Sequence, residues 1–254
     1  MSSPFTMNSY QSKQILALVR DGDFAHAGEE EAIERAMQTV PKAGDRQILD
    51  AGCGRGGTAA YMQAHGWGRV TGIDIEPKSI DYARATYPAA AFLCCDIHDV
   101  AAHVPAQFDA ITLFNVLYAL PAQEAGLNAL AGRAKANARL MVFDYIDLGG
   151  YRDAPIMDAA QPFLPHPLAK ENVAQILEGG GWALQSVDDL SEDYGRWYTA
   201  LVGRIEAKRE AIEALAGHEA YEHVLGRYSG LLTAIRDGRL GGAVIHGEKL
   251  ASSA

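Results

Sequence analysis

Asp50, Asp74 and Asp96 are the side chains whose spacing could do chemistry together. Asp50 stands two residues ahead of Gly52, in a turn that satisfies G-x-G-x-x-G through Gly52, Gly54 and Gly57. A turn this rich in glycine lets a ligand approach the backbone closely. Dinucleotide-binding loops and several other nucleoside loops share the pattern. Asp50 separates them, because a pyrophosphate brought there would meet a negative charge, whereas an ammonium or sulfonium group would be attracted. The expected chemistry is recognition of a nucleoside cofactor that is cationic rather than polyphosphate. Asp74 follows Gly54 at about the twenty-residue distance at which a nucleoside fold presents an acid to the ribose hydroxyls, and one carboxylate can accept both bonds of a cis-diol. Asp96 would accept from an adenine amino group, with the Ile97 amide available to a ring nitrogen. Each acid also has a purely local use: Asp50 could bond its own turn, Asp74 could cap a helix before Pro77, and Asp96 could cap the segment after it.

Regular alternation of strand-like and helix-like segments from Asp45 onward predicts a parallel α/β sheet that would hold these acids in line. Strands are expected at Ile48–Asp50, Arg69–Asp74, Ala91–Cys95, Phe108–Phe114 and Arg139–Asp144. The first two end on Asp50 and Asp74, the third runs into Asp96 and the fourth into Asn115, which marks one binding edge at the carboxyl ends of the strands. Helices are expected at Gly57–His65, from Pro77 to about Ala85, from about Ala122 to Ala136, and at Lys170–Leu177, with Tyr145–Ala169 as a long irregular wall between. A sixth strand near Ala183–Val187 precedes two helical patterns in 191–239, and Gly242–Gly247 reads as a last strand. Ahead of the sheet, a helix at Ser12–Arg20 and one from Glu29 to about Val40 flank the glycine-rich loop Asp21–Gly28. That loop is either a surface lead-in or a lid across the site. The predicted organisation is therefore N-terminal helices and lid in 1–44, a core in 45–190 with 240–250, and a helical insertion in 191–239 that forms part of the acceptor pocket.

A chain of 254 residues with 48% hydrophobic and 21% charged residues suits a globular protein with a sizeable core. A net charge of -10 and a pI near 5.2 argue against a nucleic-acid partner. The polar opening Met1–Ser12 reads as no signal peptide, and no apolar run is long enough to span a bilayer. Cys53, Cys94 and Cys95 offer neither a disulfide framework nor a zinc spacing, so a cytoplasmic location is expected. His218, Glu219 and His223 miss H-E-x-x-H by one residue, and His98, His103 and His166 have no partner spacing; no metal is expected. No oligomeric state is implied.

The residues resemble the class I S-adenosylmethionine-dependent methyltransferases through Ile48-Leu-Asp-Ala-Gly-Cys-Gly54, Gly72-Ile-Asp-Ile75, Cys95-Asp96-Ile97 and Phe108-Asp109. A narrower likeness is carried by the two ends of the chain. Asp23-Phe-Ala-His-Ala-Gly28 looks like the lid of the glycine, sarcosine and dimethylglycine N-methyltransferases. Asp189-Leu-Ser-Glu-Asp-Tyr-Gly195 and the helices after it are similar to the C-terminal part of those enzymes and of phosphoethanolamine methyltransferases, and Asp144-Tyr145 looks like a pair they carry. The resemblance implies a Rossmann-like, doubly wound, seven-stranded and mainly parallel sheet with an antiparallel last strand. It also implies S-adenosylmethionine as cofactor, in-line methyl transfer and release of S-adenosylhomocysteine. Cofactor-binding residues would be Asp50, Ala51, Gly52, Gly54, Asp74, Ile75, Asp96, Ile97 and Asn115, the last near the amino-acid portion.

The expected acceptor is the nitrogen of a small polar amine or amino acid, for which positioning can dominate because a neutral amine is already nucleophilic. Tyr145 is the first candidate for the acceptor pocket. Tyr118 stands about where the phosphoethanolamine enzymes keep a histidine, which argues against phosphoethanolamine itself. His26 and Tyr10 are lid candidates, and Trp197, Tyr198 and Tyr228 either wall the pocket or pack in the core. The alternatives are an O-methyltransferase of a small secondary metabolite, a nicotinamide oxidoreductase, disfavoured by Asp50 and Asp96, and a cofactor-binding protein without turnover.

Overall fold

A computed structural model describes residues 9–158 and 160–251. Helices α1 (Tyr10–Arg20) and α2 (Glu29–Met37) precede the sheet. The strands are β1 (Gln47–Ala51), β2 (Arg69–Asp74), β3 (Ala91–Cys94), β4 (Phe108–Phe114), β5 (Ala134–Asp147), β6 (Met157–Asp158), β7 (Gln161–Pro162), β8 (Leu168–Ala169), β9 (Trp182–Asp189) and β10 (Leu240–Lys249). The helices between them are α3 (Gly57–Ala64), α4 (Pro77–Thr86), α5 (Val100–His103), α6 (Gln123–Ala131) and α7 (Val173–Gly179). After β9 come α8 (Ser191–Ala207), α9 (Arg209–Ala216) and α10 (His218–Arg236).

The main sheet runs β3-β2-β1-β4-β5-β10-β9, with β8 paired to β5 off this path. Strands β1 to β5 are parallel, and β10 is antiparallel to both its neighbours, as expected for the last strand. The order reverses between β1 and β4, so their carboxyl ends flank a crevice where an open α/β sheet binds ligands. Both strands are almost wholly buried because helices cover both faces, and near-continuous apolar runs are what that burial demands. The core on one face joins α1 and α2 to the strands and to Tyr194, Tyr198 and Leu231 of the helical insertion. Among the described residues no helix is long and apolar enough to cross a membrane.

Several boundaries differ from those read in the sequence. The helix expected to reach Ala136 ends at Ala131, and β5 starts at Ala134 rather than Arg139. A bulge explains the slip: Phe108 pairs with Ala134 but Ala110 pairs with Arg139, and Asn137 takes φ 60 inside the strand. The same strand continues three residues beyond Asp144, because β10 pairs along it as far as Leu240 opposite Asp147. Tyr145 is therefore a strand residue, and the wall that follows contains β6 paired with β7 and β8 paired with β5. The helix placed at Lys170–Leu177 occupies Val173–Gly179. The insertion forms three helices, not two, since the helix expected to carry Leu201 to Leu215 is interrupted at Lys208.

Candidate active site

The glycine turn is pinned to β2, with the Gly52 and Cys53 amides both donating to the Ile73 carbonyl at 2.8 and 2.9 Å. Gly52 has φ +80, and a Cβ there would lie 2.4 Å from Val116 Cγ2, so the turn leaves no room for a side chain where Val116 packs against it. Asp50, just upstream, is buried; Oδ1 accepts from the Thr112 hydroxyl at 2.8 Å, and Oδ2 has no partner. Burial pushes its carboxyl up to about 7, and the nearby charge of Asp74 adds to the shift.

Asp74 is the most heavily bonded acid of the site. Oδ2 accepts from the Gly54 amide at 2.8 Å and Oδ1 from the Glu76 amide at 2.9 Å, while Lys13 Nζ of α1 bonds both oxygens at 2.8 and 2.9 Å. It does not cap α4, because Glu76 takes the Lys78 and Ser79 amides. Asp96 does serve the local use foreseen for it: Oδ1 accepts from the His98 amide at 2.8 Å and sits 2.9 Å from His98 Nδ1. The His98 amide is the main reason its carboxyl lies below the ordinary range. Ile75 is 58% exposed beside these acids. Asn115 takes φ 53, tolerable for asparagine, and its Oδ1 accepts from the Tyr194 hydroxyl at 3.3 Å.

The loop after α1 is folded over the glycine turn. Asp23 accepts from Arg55 Nε at 2.6 Å and from the Tyr82 and Tyr87 hydroxyls at 3.1 and 2.7 Å. His26 Nε2 lies 3.0 Å from the Thr58 hydroxyl in the first turn of α3, and its ring packs against Phe114. Complete burial lowers the His26 pKa to about 3, so the ring is neutral. Trp197 of α8 lies under Gly28 and donates to Glu31 of α2 at 2.9 Å. These ties hold the segment across the glycine turn.

A cavity of about 450 Å³ opens beneath it. Gly52, Gly54, Asp74, Asp96, Asn115 and Tyr118 are among the residues that line it, with Leu16, Phe24, Ile75, Ile97 and Phe114 supplying apolar surface. The lining does not include Asp50, Ala51, His26 or Tyr145. The Tyr145 hydroxyl is bonded to that of Tyr198, and its ring meets Tyr118 and Tyr194 edge to face. Tyr198 in turn stacks on Tyr194 and Tyr228. Burial pushes the phenols of Tyr118, Tyr145, Tyr194 and Tyr198 far up, so all stay protonated. Tyr10 does not line the cavity; it lies over the Arg55 guanidinium.

Two participants, Lys13 and Arg55, are not apparent from the sequence motifs, and a third, Asp144, is named there only as the partner of Tyr145 in a motif pair. Lys13 is reached only through the placement of α1, although its three-residue spacing from Leu16 puts both on one helix face. Arg55 looks like turn filler until the lid supplies Asp23. Asp144 is fully buried, accepts from the Leu117, Tyr118 and Tyr145 amides, and so fixes the turn carrying Tyr118. Burial raises its carboxyl to about 7 against those amides. Among the described residues no group of three or more His, Cys, Asp or Glu could hold a metal ion.

Residues 48–137 match a family model described as a methyltransferase domain. The match covers less than half of the chain. It contains the glycine turn, Asp74, Asp96, Asn115 and Tyr118. Part of the chain is 33% identical over 94 residues to a ubiquinone biosynthesis O-methyltransferase of Chromobacterium violaceum, covering 35% of this chain and 40% of that protein. The first curated relatives are matched over only 28%, 40% and 60% of their own lengths. Among solved structures, the cyclopropane synthase MmaA2 from Mycobacterium tuberculosis superposes with a TM-score of 0.81 at 14% identity, covering 96% of this chain and 97% of that one. Phosphoethanolamine N-methyltransferase 2 of Haemonchus contortus, in complex with phosphomonomethylethanolamine and S-adenosylhomocysteine, gives 0.80 at 13% identity over 97% of this chain and 61% of that one. The matched segment thus sits within a Rossmann-like fold that spans nearly the whole chain.

Proposed function

We propose that the chain is an S-adenosylmethionine-dependent methyltransferase that methylates the nitrogen of a small amine or amino acid. The observation that carries this reading is the cavity itself, which joins the strand-end acids to the apolar surfaces of Phe24, Phe114 and Tyr118 under the lid. The residues present fit the donor: glycines at a close approach, an acid at ribose distance, an exposed Ile75, and the buried Asp50 with one oxygen unpartnered. Gly52 and Gly54 would admit the donor, Asp74 its ribose, Asp96 and Ile97 its base, and Asn115 its amino-acid end. When bound, the donor supplies a methyl group on a sulfonium.

The chain's own contribution is orientation and exclusion of water. Holding two reactants in line is worth roughly 7 to 11 kcal/mol of barrier. Of the ionisable groups lining the cavity, Lys13 pairs with Asp74, Arg55 with Asp23 and His98 with Asp96, while burial raises the Tyr118 phenol and the Cys95 thiol so that both keep their protons. That arrangement suits an acceptor needing no strong base. An amine in apolar surroundings is biased toward its neutral, nucleophilic form. Tyr118 would orient the acceptor, while Tyr145 and His26 would act as positioning residues behind the wall. An oxygen acceptor is the second reading, favoured by the likeness to the ubiquinone enzyme. The thiols of Cys53, Cys94 and Cys95 are all free, in keeping with a reducing, cytoplasmic setting.

Incubation with methyl-labelled donor and a panel of amines, amino acids, phenols and carboxylic acids tests the reading. Label on nitrogen is expected; label on oxygen or carbon overturns the acceptor class. Calorimetric binding of NAD with no response to S-adenosylhomocysteine would overturn the donor.

A further inference from the structure

We propose that Lys13 is a built-in competitor for the ribose-binding acid, so that the cofactor binds by exchanging its diol for the Lys13 ammonium on Asp74. This rests on the donor reading above and deepens it. A carboxylate offers about four lone-pair sites. In Asp74 all four are in use, two by the Gly54 and Glu76 amides and two by the single ammonium of Lys13. The two amides belong to the turn and to the β2 end, and they hold the carboxylate in place. Only the two bonds from Lys13 can be given up without unfolding the site.

The lysine also occupies the right volume. Lys13 Cδ lies 4.0 Å from where a Cβ on Gly54 would stand, so its stem crosses the glycine turn, and its side chain is 10% exposed against 7% for Asp74. The α1 backbone is fixed by Ile15, Leu16 and Val19 in the core. Exchange therefore requires rotation of a flexible side chain, not movement of the helix. The Lys13 charge also reaches Glu76, an acid beside which the displaced ammonium can rest. A lysine that merely assisted cofactor binding would strengthen it; a lysine that competes must weaken it, and this difference in sign is measurable.

The experiment is calorimetric titration of the full chain with S-adenosylhomocysteine and with its 2′,3′-dideoxy analogue, using wild type, Lys13→Met and Lys13→Arg. Lys13→Met keeps most of the apolar stem and removes the charge; Lys13→Gln replaces it if Met does not fold. The expected result is binding of S-adenosylhomocysteine about tenfold tighter in Lys13→Met, the scale of a charged hydrogen bond. Lys13→Arg should retain wild-type affinity, and the dideoxy analogue should bind wild type and Lys13→Met alike, because it has no diol to exchange. Unchanged or weaker binding of S-adenosylhomocysteine by Lys13→Met overturns the proposal while leaving the donor reading intact. Absence of binding to every variant overturns both.

Discussion

Asp50 and His26 are buried titratable groups a few residues from the cavity, and burial moves them in opposite directions. Asp50 rises from an ordinary value of 3.8 to about 7. The folded state then holds its proton more tightly than the unfolded state does, so this contribution is complete below about 3.8 and is lost as pH rises through about 7. His26 falls from 6.5 to about 3; its contribution is complete above 6.5 and is lost as pH falls toward 3. Asp50→Asn keeps an oxygen for Thr112 and removes the buried charge. Its melting temperature is expected to exceed that of wild type near about pH 8, and the gap should close toward about pH 4. A gap independent of pH would contradict the buried, unpartnered oxygen. Tyr145→Phe would leave the buried Tyr198 hydroxyl without its partner. A loss of about 1 to 3 kcal/mol is expected in denaturant unfolding, with S-adenosylhomocysteine affinity unchanged. Weakened S-adenosylhomocysteine binding would put Tyr145 at the donor rather than behind the acceptor end.

At the scale of elements, the lid depends on a glycine outside it. A Cβ on Gly57, at the start of α3, would come within 2.6 Å of the Asp23 carbonyl oxygen. Gly57→Ala is therefore expected to lift the lid while leaving the sheet intact. Hydrogen exchange should accelerate in residues 21–28, and S-adenosylhomocysteine should bind more weakly, with little change in the main unfolding transition. Unaltered exchange in that segment would mean that the lid accommodates the methyl group. The glycine turn answers to the same logic from the other side, since Gly52 must admit Val116 as well as a ligand. Gly52→Ala adds strain at φ +80 and is expected to reduce donor affinity, read by the same titration.

For the molecule as a whole, the helical insertion at 191–239 packs directly on the sheet and on the N-terminal helices. The packing argues for one cooperative body. The Tyr194 ring packs against β10, where a Cβ on Gly242 would approach Tyr194 Cε2 within 2.0 Å, and Trp197 reaches α2. Gly242→Ala should destabilise by about 1 to 3 kcal/mol, the scale of overpacking. Far-UV circular dichroism and tryptophan fluorescence, reporting Trp197 with Trp67 and Trp182, should still follow one coincident transition. Two resolved transitions would show that the insertion unfolds by itself.

The sequence by itself determined the sheet and the row of polar side chains at its strand ends. Strand β2 and strand β4 have the bounds that their apolar runs predict, because parallel strands buried on both faces leave little freedom in composition. The acids at the strand ends were legible for a similar reason: charged residues after buried runs are costly unless they are used. Where β5 begins and how far it runs was decided by tertiary structure, through the bulge at Asn137 and the antiparallel partner β10. The break at Lys208 was hidden because the apolar spacing on its two sides continues in phase. Long-range pairings were equally hidden, since Lys13 with Asp74 and Asp23 with Arg55 join residues 61 and 32 positions apart. Motif spacing encodes what a single turn and its strand must do; which distant side chain meets an acid depends on how α1 and the lid pack across the sheet edge.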